Sequence, residues 1–99
     1  MKQHFAVIVH RTSKWDQSIP ADQQSGFPKH LEFMGGLEKS GVIALAGLLT
    51  TSNDVLFILE AESEDEVRAI IGKDPWQQDG RVCIDRVEQL ALRIGNIKI

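Results

Sequence analysis

The stretch VIALAGLLTTSNDVLFILE, residues 42–60, decides the fold of this 99-residue chain. It holds two apolar runs, 42–50 and 54–60, around the polar cluster Thr51-Ser52-Asn53-Asp54. Two β-rich runs joined by a polar turn read as a β-hairpin. Side chains alternate between faces along a strand, and both runs are apolar at both parities, so both faces of this hairpin need cover.

Working outward, QHFAVIVH (residues 3–10) reads as a strand, with Phe5, Val7 and Val9 on one face and Ala6 and Ile8 on the other. Residues 11–26 carry Pro20, Gly26 and several Ser and Gln, and read as a long loop. A helix is predicted over about 28–40, with Pro28 in its first turn and Gly41 as its stop. Its apolar stripe is read as Phe27, Leu31, Met34 and Leu37. The Gly35-Gly36 pair weakens that helix by about 1 kcal/mol per glycine, which close packing of another element would explain. Ser63-Glu64-Asp65-Glu66 has the spacing of a capping box and opens a second helix ending at Gly72-Lys73. RVCIDRVEQLAL (81–92) reads as the last strand, with a bulge near Asp85-Arg86 where its alternation changes parity. The tail RIGNIKI fits a further short strand or a frayed end.

The order is β-α-β-β-α-β, an α+β ferredoxin-like arrangement with an antiparallel sheet. At this length it reads as a single domain over 1–99. Two helices cover one face of a four-stranded sheet and leave the other open as a large apolar patch. A second copy packed sheet to sheet closes it, so the pattern itself predicts a homodimer.

Composition excludes several function classes. Eleven basic against fourteen acidic residues give a formal net charge of −3, which disfavours phosphate-driven nucleic-acid binding. No run of about 20 apolar residues is present, so no membrane partner is expected. The apolar run at the N-terminus is too short for a signal peptide, and a cytoplasmic location is expected. The single cysteine, Cys83, is read as a buried strand thiol. His4, His10 and His30 show no zinc-ligand spacing, so no metal is expected. No glycine-rich phosphate loop occurs, and no cofactor is called for.

The candidate chemistry gathers on few residues. His30 borders the apolar stripe of the first helix, where a packing histidine is the plain alternative. Asp74 closes the second helix, against its dipole, and precedes Pro75; a turn-forming Asp-Pro is the plain alternative there. A carboxylate holding one imidazole N–H fixes the tautomer and frees the other nitrogen as a base, so His30 with Asp74 is the pair that acid–base catalysis would use. Both lie on helices that share one face of the sheet. His10 and Arg11 end the first strand at the long loop, and Trp15 and Trp76 are expected to cover a pocket or an interface. These four are candidate substrate contacts. A Ser25-His30-Asp74 triad is formally available, but no nucleophile elbow surrounds Ser25.

KHLEFMGGLEKSGVIALAG (29–47) and EAESEDEVRAIIGKDPWQQDG (60–80) resemble the two signatures of the YCII family. His30-Leu31, Leu37, Gly41 and Gly47 match the first; Ser63, Asp74-Pro75-Trp76 and Gly80 match the second. The resemblance covers roughly residues 3–92. It implies a dimeric α/β barrel and a His–Asp dyad at His30 and Asp74; one member type eliminates chloride from a chlorinated hydroxyquinol. The chain departs at Leu48, where the family often has proline, and at His10-Arg11, where many members carry an acidic residue. The resulting expectation is a cofactor-independent enzyme of lyase or isomerase type acting on a small oxygenated substrate, aromatic ones included. The competing expectations are a non-catalytic small-molecule-binding or interaction module and, behind it, a cofactor-free monooxygenase.

Overall fold

The computed structural model describes residues 1–96. β1 (Gln3–Arg11) runs through the middle of a four-stranded sheet of order β2-β3-β1-β4, with β2 at Ile43–Leu49, β3 at Asp54–Ala61 and β4 at Val82–Leu90. β1 pairs antiparallel with β3 and β4, placing Val7 opposite both Phe57 and Val87. β2 pairs antiparallel with β3, and the two form the expected hairpin. With α1 (Phe27–Lys39) and α2 (Glu64–Ile71) as crossovers, this is the ferredoxin-like α+β arrangement.

The sheet's parity sorts the core. Phe5, Val7 and Val9 join Phe57, Leu59, Val82 and Val87 on the helix side, where Val67 and Ile71 of α2 close over them. The bulge lies where the alternation of β4 breaks: Ile8 faces Arg86 and Val9 faces Ile84, so Asp85 is the extra residue. At the start of α2, Ser63 Oγ accepts the Glu66 N–H at 3.1 Å. The Glu66 carboxylate reaches back to the N–H of Glu62, one residue before the cap.

Several expectations are corrected. α1 buries no residue fully, and its inward row is Phe27, His30 and Met34, whereas Leu31 is 57% exposed. Phe27 and Met34 keep the expected stripe, but His30 holds the inward position between them that is expected of Leu31. Nothing packs within 4 Å of where a Cβ on Gly35 or Gly36 would lie, so close approach within the chain does not explain that pair. Gly41 ends α1 as expected, at φ 79°. Cys83 is exposed, paired with His10 on the open side of the sheet. Residues 91–96 form neither helix nor strand; the rest of the tail, 97–99, lies outside the described residues.

On that open side the register aligns Ala6, Ile58 and Leu45, then Ile8, Leu56 and Gly47. Leu45 and Leu49 are 49% and 40% exposed, and the same side carries the pairs His4–Glu60, across β1 and β3, and Arg86–Glu88 on β4. Among the described residues no helix is long and apolar enough to cross a membrane.

Candidate functional site

Asp74 sits where α2 ends and a short helix the sequence reading missed, α3 (Pro75–Gln78), begins. Its N–H closes the end of α2 on the Ile71 carbonyl, and Pro75 holds it extended, at ψ 128°. Its side chain caps α3, with Oδ1 accepting the Trp76 N–H at 3.1 Å. The residue thus does not oppose a local preference: Asp before Pro at N1 is a favoured helix start, and the dipole argument applied to the end of α2 does not describe it.

One turn into α1, His30 Nδ1 lies 2.8 Å from Oδ1 and 3.0 Å from Oδ2 of Asp74. Asp74 is 7% exposed at its side chain, and two N–H donors satisfy this buried carboxylate. Nδ1 therefore carries the hydrogen of neutral His30, and Nε2 keeps its lone pair. Nε2 has no hydrogen-bond partner in the protein among the described residues. The Trp76 ring stacks on the imidazole, centroids 3.7 Å apart and planes 14° from parallel. The carboxylate fixes the orientation of the imidazole ring, and the indole face packs against it.

Trp76 is fixed in turn. Its Nε1 donates to the Ser25 carbonyl at 2.8 Å, just before α1, and Trp15 meets it edge to face at 5.0 Å. Gly26 caps α1 at φ 81°, a conformation that favours glycine. Ser25 contributes that carbonyl, and no hydrogen bond joins its hydroxyl to His30.

The loop that carries Trp15 is ordered around Gln24, a residue the sequence reading passed over. Buried Gln24 accepts from the Asp16 N–H and donates to the carbonyls of Asp16 and Ile19. Arg81 ties the loop to β4 by donating to the Lys14 carbonyl and to Gln24 Oε1. Asp16 accepts from the hydroxyl and N–H of Ser18, which holds its carboxyl below the usual range. A polar residue that folds a loop on itself carries no periodicity, so its buried role left no pattern to read.

These elements enclose a cavity of about 390 Å³. His30, Asp74, Trp76, Trp15 and Arg11 all line it, against a largely apolar wall that includes Phe27, Met34 and Phe57. Arg11 places its guanidinium carbon 4.2 Å from the Trp15 ring centroid. Gln77, also unnoticed in the sequence, is a further lining residue. Of the six expected site residues the structure brings five to this cavity. His10 is set apart: its Nδ1 lies 2.6 Å from Asp54 Oδ1, and it borders a second, polar cavity of about 400 Å³ beside Ser52 and Asn53. Among the described residues no three His, Cys, Asp or Glu gather closely enough to hold a metal ion.

The sequence pattern of the YCII-related domain matches residues 5–91. No curated protein matches by sequence. Among solved structures, 5-chloro-2-hydroxyhydroquinone dehydrochlorinase (TftG) from Burkholderia phenoliruptrix AC1100, in complex with 2,5-dihydroxybenzoquinone, is similar in fold. The TM-score is 0.56 at 19% identity, covering 92% of this chain and 95% of that one.

Proposed function

The chain belongs to the YCII-related domain family, and from that premise we propose that it is a cofactor-independent enzyme of lyase or isomerase type, with His30 as general base and Asp74 as the residue that orients and charge-stabilises it. The observation that carries this reading is the placement of Nδ1 against the Asp74 carboxylate, with Nε2 unspent beside a cavity of substrate size. Nε2 takes a proton from a C–H or O–H of a small oxygenated substrate. The electron pair left behind either forms a double bond as a leaving group departs or is reprotonated elsewhere. The fold neighbour is named a dehydrochlorinase, and loss of hydrogen and chloride needs a base of this kind.

Arg11, Trp15 and Trp76 are the substrate contacts in this reading, and His10 stands at the neighbouring cavity. The working unit is a homodimer that covers the open sheet face. Its motivation is the exposed Leu45 and Leu49 beside Ile8 and Leu56. The test is deuterium exchange, followed by NMR, into a panel of hydroxylated aromatic and enolisable compounds. Wild type accelerates exchange at one position, and His30→Gln loses about 10²–10⁴-fold of that rate. Undiminished exchange in the variant overturns the proposal and favours a binding module of the same fold.

A further inference from the structure

Two hydrogen-bond donors at the cavity are left unspent by the fold. Arg11 touches the Trp15 ring and, among the described residues, makes no ion pair and donates no hydrogen bond. Three other arginines are neutralised: Arg68 by Glu64, Arg81 by Asp79 and Arg86 by Glu88. The cavity's one carboxylate, Asp74, already serves His30 and the Trp76 N–H, so it offers Arg11 no counter-charge. Gln77 lines the same cavity, and its Nε2 is buried with no hydrogen-bond partner. A buried donor without an acceptor is costly unless a ligand supplies one.

We propose that Arg11 is a specificity-determining residue that binds an anionic oxygen of the substrate. The substrate class is then a small, flat, conjugated anion carrying a carboxylate or an ionised enol oxygen. This deepens the proton-transfer reading and rests on it. The body of such a molecule lies against the aromatic wall, and its acidic hydrogen meets Nε2 of His30. The contact with Trp15 leaves the guanidinium N–H groups available for an oxyanion. When Nε2 removes the proton, the negative charge delocalises through the conjugated system toward Arg11 and the proton stays on His30, so no oxidant or further reactant is needed.

The test is titration calorimetry on the full chain with a matched pair of probes, 2,5-dihydroxybenzoate and its uncharged amide. Wild type binds the acid at least about tenfold more tightly than the amide, the scale of one charge-assisted hydrogen bond. Arg11→Gln brings the two affinities together, chiefly by weakening the acid. A second arm needs no mutation: raising the salt concentration shrinks the wild-type preference, because ions screen a part-exposed charge. Equal binding of the two probes by wild type overturns the inference. So does a preference that survives Arg11→Gln or added salt, and so does the absence of acid binding at millimolar concentration. No turnover enters this titration. A wild type with no acid preference but with His30-dependent exchange intact removes Arg11's role alone; an Arg11-dependent preference with His30→Gln exchanging normally removes the proton-transfer reading.

Discussion

His30 and Asp74 stand 44 residues apart in the chain, and the His30 Nδ1 reaches both Asp74 carboxylate oxygens, at 2.8 and 3.0 Å. Because Asp74 also caps α3, two of its substitutions separate the proposed proton transfer from folding. Asn caps helices nearly as well as Asp, so Asp74→Asn keeps stability within about 1 kcal/mol. Its amide holds the imidazole less firmly in one tautomer, and proton transfer falls by about 10²–10⁴-fold. Asp74→Ala also loses the cap, about 0.5–2 kcal/mol, and leaves the His30 N–H without its acceptor. Urea unfolding and exchange rates, measured side by side, distinguish the two variants.

Trp76 supports the dyad from the ring face and from its own anchor on Ser25. Trp76→Phe keeps an aromatic face but loses the indole N–H and some volume. The expected cost is about 1–2 kcal/mol in chemical unfolding. The part of the imidazole environment that depends on stacking persists, so the His30 ring signals move less than they do in Trp76→Ala.

The open sheet face gives a prediction about assembly. Wild type sediments at twice the chain's 11.1 kDa. Leu45→Asp puts a charge on that face and shifts the protein to single chains, without unfolding a position that is half exposed already. Equilibrium sedimentation reads both outcomes, and a wild-type protein that stays monomeric at micromolar concentration contradicts the dimer.

How far the sequence was legible follows from the physics of each signal. The β-α-β-β-α-β order, the bulge at Asp85 and the Ser63 cap rest on local periodicity and short-range chemistry, which a single sequence displays. The His30–Asp74 pair was proposed from residue types and from the family resemblance; its contact is set by the packing of α1 beside α3, which neither shows. His30 rather than Leu31 faces inward because the two are neighbours about 100° apart on the helix, and either spacing completes a stripe through Phe27 and Met34. α3 leaves no sequence signal because four residues have no period to detect, and the sequence pattern places Asp74 at the end of the helix before it instead. The apolar neighbours of Cys83 suggest burial, yet parity sends it to the side of the sheet that no helix covers.

The account's central claim is that Asp74 holds neutral His30 with its hydrogen on Nδ1, leaving Nε2 as the base. Nitrogen-15 NMR of the histidine ring reads this directly, with no substrate needed. For the neutral ring, the account predicts a protonated, pyrrole-like Nδ1 and a lone-pair, pyridine-like Nε2, with Asp74→Asn relaxing the ring toward a mixture. A hydrogen found on Nε2 in the wild-type protein, or a tautomer unchanged by Asp74→Asn, would contradict it.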